Sequence, residues 1–110
     1  KDLLKSFKKG TSIALMIDQR VSEGIKCNFF NAYASTTTIP AQFVKKFGAK
    51  VVPIYIERIK SNNFKLVIHE PISFLKNDTV NYITLTLNKI LEKMIIKNPE
   101  QWIWTHNRWK

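Results

Sequence analysis

The side chains of this chain that could do chemistry sit in a few short stretches: Asp18-Gln19, the run Thr36-Thr37-Thr38, Arg58, and a closing segment with His106, Arg108 and Lys110. A carboxylate beside an amide can orient a polar substrate. Three threonines just ahead of Pro40 can hold an anion through hydroxyls and the free N–H groups of a helix start, or one of them can simply cap that helix. Residues 99–110 gather three tryptophans with Glu100, His106, Arg108 and Lys110. Aromatic bodies with charged tips belong where apolar matter meets charged groups, which a lipid headgroup layer, an anionic polymer or a subunit interface would each provide.

A complete catalytic centre is not spelled out. General base catalysis calls for a histidine with a partner within reach. His69 and Glu70 are neighbours on a strand and point to opposite faces, and no acid follows His106. Cys27 is the only cysteine, so no internal disulfide forms, and neither histidine lies near it in sequence to make it a nucleophile. Gly-rich phosphate loops, spaced Cys/His metal clusters and nucleophile elbows are all missing. The residues therefore name no catalytic group, metal or cofactor.

Composition narrows the partners. Eighteen basic residues against eight acidic ones give a formal charge of +10 over 110 residues. That favours anionic partners, namely nucleic acid, acidic lipid or an acidic carrier protein. The lysines also accompany many Ile and Asn residues, as a biased coding composition would produce, so the rarer arginines carry more weight. At 45% apolar residues with three glycines the chain should fold, as a single domain over residues 1–110. No run approaches the roughly 20 apolar residues needed to cross a bilayer.

The elements that must position these groups follow from periodicity. Residues 1–9 read as the end of an amphipathic helix stopped by Gly10. The unbroken apolar run 12–17 reads as a strand buried on both faces, which would put Asp18 and Gln19 at its carboxyl end, where α/β sheets place ligands. Residues 21–35 read as a loop whose Phe29-Phe30 pair either plugs the core or lines a pocket. A helix spans 40–47, with Pro40 in its first turn and Gly48 as its stop. Strands over 51–59 and 64–69 form a hairpin, and Pro53 confines the first to an edge or a bulge. A long helix covers 78–97, capped by Asp78, with an apolar stripe through Val80, Ile83, Leu87, Ile90, Leu91, Met94 and Ile95. The fold class is α/β: a small mixed sheet of about three or four strands flanked by helices.

Taken in order, Asp18-Gln19, Gly24, Phe29-Phe30, Thr36-Thr37-Thr38, Gly48-Ala49, Val52-Pro53, Arg58 and Pro99-Glu100-Gln101-Trp102 with Trp104, His106, Arg108 and Lys110 resemble the late acyltransferases of bacterial lipid A biosynthesis. These are the lauroyl and myristoyl transferases of the wider lysophospholipid acyltransferase superfamily. The family's closing pattern, Pro-Glu-Gln-aromatic-x-Trp-x-His-x-Arg-aromatic-Lys, is followed position by position from Pro99 to Lys110. The resemblance covers nearly the whole chain, and corresponds to the carboxyl-terminal part of the family.

It implies a partial glycerolipid-acyltransferase-like fold and transfer of a fatty acyl group from an acyl carrier protein thioester to a lipid A precursor. The setting would be the cytoplasmic face of the bacterial inner membrane, with this chain peripheral on an anionic surface. The family's catalytic His-plus-acid motif lies upstream, after an amino-terminal membrane helix. Neither is in this chain, so it is expected to be inactive alone and to need a separate amino-terminal half. Asp18, Gln19, Thr36, Thr37 and Thr38 would line the site. Arg58 would bind a phosphate of acceptor or carrier with two parallel N–H bonds. His106, Arg108 and Lys110 would add positive charge near the headgroups, and the tryptophans would pack the end segment or sit at the interface. The alternative is a basic module that binds nucleic acid or anionic lipid without catalysis. The clustering of tryptophans at one end, with no stacking sheet, speaks against nucleic acid as a partner.

Overall fold

The computed structural model describes residues 2–110, and Lys1, expected in the first helix, lies outside them. The described elements are α1 (Asp2–Lys8), β1 (Ile25–Phe29), β2 (Ala32–Thr36), α2 (Ile39–Phe47), β3 (Ile54–Lys60), β4 (Asn63–Ile68), α3 (Val80–Lys97) and a 3₁₀ turn at Pro99–Gln101. The fold is a small mixed α/β arrangement, as expected, but its strands divide into two antiparallel hairpins, β1–β2 and β3–β4.

The long helix gathers the rest. Ile83, Leu87 and Ile95 of its predicted stripe are buried, and α3 packs on β1 on one side and α2 on the other. One core cluster joins Phe29, Ala34 and Ile95 to Phe30, Leu91, Trp102 and Trp109. The other joins Ala41, Ile83 and Leu87 to Ile17, Val44, Val51, Ile72 and Phe74 among others. The cap of α3 is Thr79, whose hydroxyl accepts from the Tyr82 N–H at 3.1 Å. Asp78 instead closes the preceding turn by accepting from the Leu75 N–H at 2.7 Å. Both residues are good caps, and the one whose side chain faces the third helical N–H takes the role. Gly48 ends α2 as expected, with φ +61° and its N–H on the Val44 carbonyl. Phe7 anchors α1 by an edge-on contact with Phe43 at 4.9 Å.

Two expectations are corrected. Residues 12–17 form no strand: the segment is irregular, and Met16 is 80% exposed. A strand exists only where a neighbour takes its backbone groups, and neither hairpin offers it an edge here. Asp18 and Gln19 therefore follow an irregular segment and not the carboxyl end of a parallel strand. Residues 21–35, expected as a loop, contain β1 and most of β2. Phe29 pairs with Ala32, leaving Phe30 and Asn31 as a two-residue turn with φ +48° and +61°. Positive φ at both positions is the turn that suits hairpin twist, and it ordinarily calls for Asn or Gly. Phe30 tolerates it because the Glu92 carboxylate accepts its N–H at 2.7 Å while its ring meets Phe29 and Trp104 at 4.8 and 5.8 Å.

The second hairpin forms as expected, but its first strand runs from Ile54 to Lys60 and not from Val51, so Pro53 lies outside it, and the irregularity falls between Arg58 and Lys60. Pro53 stands just ahead of β3, its carbonyl accepting from His69 N–H at 3.0 Å. Ile54 faces Ile68, Ile56 faces Leu66 and Arg58 faces Phe64. These pairs alternate with the bonded ones, so Ile54, Ile56, Phe64, Leu66 and Ile68 share one face of the hairpin, and each is more than half exposed.

Candidate functional site

The closing segment is held by its polar tips as much as by its rings. Asn98 donates to the Tyr55 hydroxyl at 3.0 Å and the Glu57 carboxylate at 2.9 Å. The Gln101 amide accepts from the Arg58 N–H and donates to the Arg58 carbonyl, both at 2.9 Å, as a neighbouring strand would. Trp102 and Trp109 then pack on Phe29, and the Trp109 indole donates to the Phe29 carbonyl at 2.9 Å. Trp104 is more exposed, its indole N–H on the Pro99 carbonyl. The tryptophans thus serve mainly to dock the segment.

Arg108 is fully buried. Its guanidinium donates to the Ser35 carbonyl at 2.6 Å and the Thr36 hydroxyl at 3.0 Å, and lies 5.3 Å from the Phe29 ring centre. Burial pushes its pKa down, and the negative charge of Asp18 works against that shift. A second buried polar group, Asn88 of α3, donates to the Asn28 carbonyl and the Thr36 hydroxyl. The Thr36 hydroxyl itself donates to the Ala34 carbonyl. With one donor and two acceptor sites filled, it is fully engaged inside the protein. Gly24 closes the knot: a Cβ there would stand 2.4 Å from the Thr36 carbonyl oxygen, so only glycine lets residues 18–24 lie this close to β2.

The other expected residues are placed as follows. Thr37 accepts from the Ile39 N–H at 3.3 Å, and Thr38 accepts from the Gln42 side chain at 2.9 Å, so the threonine run is spent largely on starting α2. Asp18 is half-buried near Arg108, and Gln19 is exposed. Arg58 is exposed, stacks over Phe64 at 5.2 Å and lines a cavity of about 480 Å³ with Tyr55, Asn98, Glu100 and Trp102. His106 is exposed in a different cleft, across from Arg20. The structure thus joins Thr36 and Arg108, with Asn88, in one buried node, sets half-buried Asp18 close enough to act on Arg108 through its charge without a bond to it, and leaves Arg58 and His106 in separate surface concavities.

Sequence reasoning missed Asn88, Glu92, Gln101 and Arg20. Asn88 had a legible signal, a polar residue on the buried stripe of α3. The others act across 40 residues or more, or stand in a segment whose path only docking decides.

Cys27, on β1 behind this node, is 6% exposed, and burial pushes its thiol pKa up from 9.0. It should react with a thiol reagent about 100-fold more slowly in the native chain than in urea, because attack needs the thiolate and access. Its raised pKa stabilises the fold fully below the unfolded thiol's value, and that contribution fades as pH climbs from there through the folded value. Urea midpoints above about pH 9 should therefore fall less steeply for Cys27→Ala. Equal labelling rates in native and unfolded protein would defeat this expectation.

Among the described residues, no helix is long and apolar enough to cross a membrane. A family model described as bacterial lipid A biosynthesis acyltransferase matches residues 1–110. The chain is also 29% identical over 116 residues to the lipid A biosynthesis lauroyltransferase of Escherichia coli (strain K12). That alignment takes in 100% of this chain but 37% of the relative, so the chain spans well under half of that protein's length.

Proposed function

The chain belongs to the bacterial lipid A biosynthesis acyltransferase family, and from that premise we propose that it is the carboxyl-terminal, acceptor-side part of an acyl transfer site. The reaction would move a fatty acyl group from an acyl carrier protein thioester to a hydroxyl of a lipid A precursor. The new ester C–O bond forms, the C–S bond breaks, the carrier leaves as a thiol, and a base takes the hydroxyl proton. The work would take place at the cytoplasmic face of the inner membrane, with this chain peripheral on the anionic surface. Residues 1–110 would act as one domain within that unit.

The observation that carries the reading is the closing segment. It presents cations on a frame of packed rings, fastened to β3 by Gln101 and to the β1–β2 hairpin by Arg108 and Trp109. The apolar face of Ile54, Ile56, Phe64, Leu66 and Ile68 supports the same reading. Sheets usually bury such a face, and contiguous exposed apolar patches mark places where another surface belongs. The rest of an acyltransferase would cover it. Asp18, Gln19 and the threonine run would then line or support the acceptor site, while Arg58 and His106 are exposed and able to meet phosphate.

No base is assigned to the attacking hydroxyl, so the 110-residue chain should show no turnover when incubated with acyl carrier protein thioester and lipid A precursor. Clear turnover would overturn that inactivity. Binding separates the family reading from the alternative. The chain should bind anionic liposomes, more weakly as salt rises, in preference to single-stranded oligonucleotides. Tight oligonucleotide binding without liposome binding would reverse the reading in favour of a nucleic-acid module.

A further inference from the structure

We propose that the cleft between residues 18–22 and the end of the closing segment is a binding site for a phosphate group. Its lining is Arg20, Ser22, His106, Asn107 and Lys110, around a volume of about 300 Å³. No lining residue is acidic. Arginine offers a fork of N–H donors, lysine an ammonium, serine a hydroxyl and histidine a ring N–H, all suited to oxyanions. Asn107 is already oriented: its carbonyl oxygen accepts the backbone N–H groups of Trp109 and Lys110 at 3.1 and 3.0 Å, which leaves its NH₂ free to donate.

The size selects the ligand. Sites for small molecules run from about 300 to 1,000 Å³, so this cleft suits a compact head group, and its polar walls do not suit an acyl chain. Both walls are backed by fixed structure. On one side Arg108, between Asn107 and Trp109, is tied to Ser35 and Thr36. On the other, Gly24 rests against the Thr36 carbonyl and positions the loop that carries Arg20 and Ser22. Both walls therefore lean on Thr36, which fixes the backbone from which the exposed cations of the cleft extend. The site stands independently of the acyl-transfer reading, since phosphate binding requires no acyl donor.

The test is an NMR titration of the whole 110-residue chain with inorganic phosphate, chloride being adjusted to hold ionic strength constant. Shifts should saturate and concentrate at the Arg20 side-chain N–H and the amides of Ser22, Asn107 and Lys110. Arg20→Gln should weaken binding about 5-fold or more, and Lys110→Gln about 3-fold, as expected on losing charge-assisted bonds. Lys93→Gln, an exposed lysine on α3, should change it less than about 2-fold. Non-saturating shifts spread over all lysines, or equal weakening by Lys93→Gln and Arg20→Gln, would overturn the site in favour of diffuse attraction. A second arm uses phosphatidylcholine vesicles with and without phosphatidic acid. Binding that needs phosphatidic acid and is competed by free phosphate upholds the site with a lipid headgroup as ligand. Phosphate binding without vesicle binding upholds it with a soluble phosphate compound. Tight oligonucleotide binding without liposome binding, which would defeat the acyltransferase reading, leaves the saturation by inorganic phosphate and its loss in Arg20→Gln unchanged, so the two proposals fail separately.

Discussion

Replacing Arg108 with alanine should lower the free energy of unfolding by about 3 to 5 kcal/mol. A domain of this kind has about 5 to 15 kcal/mol in total, so the variant would be partly unfolded at ambient temperature in the less stable cases. The size follows from what is left behind. The part-buried Ser35 carbonyl loses its charge-assisted donor, which costs about 1 to 3 kcal/mol, while the Thr36 hydroxyl loses one of two donors and keeps Asn88. Phe29 loses the cation beside its ring, and a cavity opens in the wall of β2. Arg108→Met should be the mildest replacement, at about 1 to 2 kcal/mol, because it keeps the stem's packing and removes the cost of burying charge. Arg108→Lys should fall between, since an ammonium cannot span both acceptors as the guanidinium does. Urea unfolding followed by tryptophan fluorescence gives the order directly. A midpoint for Arg108→Ala equal to that of the unaltered chain would show that the node carries no stability. A methionine variant as unstable as the alanine one would assign the stability to the polar bonds alone.

Phe29→Ala should be at least as damaging, at about 3 to 5 kcal/mol, and its signature should be different. Phe29 is fully buried and touches Phe30, Trp102, Trp109 and Arg108 with ring separations of 4.8 to 5.8 Å for the aromatics. Its loss removes the surface on which the closing segment lies. The cluster of Ala41, Ile83 and Leu87 on the other part of α3 does not include it. Near-ultraviolet circular dichroism, which reports ordered tryptophans, should therefore collapse before the helical signal of α3 does. An unchanged near-ultraviolet spectrum would mean that the polar ties of Asn98, Gln101, Arg108 and the Trp109 indole dock the segment without the ring. Phe29→Leu keeps most of the volume and should cost less than about 1.5 kcal/mol.

The parts of the fold that local periodicity controls were legible in the sequence. The stripe from Val80 to Ile95 and the alternation Phe64, Leu66, Ile68 identified α3 and β4, and Gly48 marked the end of α2. What failed depends on partners. Residues 12–17 have the composition of a buried strand, yet composition does not supply a neighbouring strand. The β1–β2 hairpin was hidden for the opposite reason: its inward residues include the small or polar Cys27, Ala34 and Thr36, and its turn is Phe30-Asn31, with no glycine to announce it. The candidate site shows the same division. His106 and Arg108, two residues apart, read alike as headgroup cations. The docked segment buries one and exposes the other, and only the Phe29–Trp109 stack decides which. Arg20 carried no local signal, because its partners are supplied from 86 positions further along.

The Gln101 amide has a consequence for self-association. It occupies the outward N–H and C=O of Arg58, so the outer edge of β3 is stoppered near its tip, while among the described residues no side chain plugs β4 in the same way. Open sheet edges are where chains join one another. With the tip of one edge occupied, copies meeting through this hairpin would pair more readily β4 against β4. Such a contact would be self-complementary and two-fold, and would leave only the partly plugged β3 edge for further growth. One glutamine thereby makes edge-to-edge growth of this basic, apolar-faced chain through β3 less favourable than through β4.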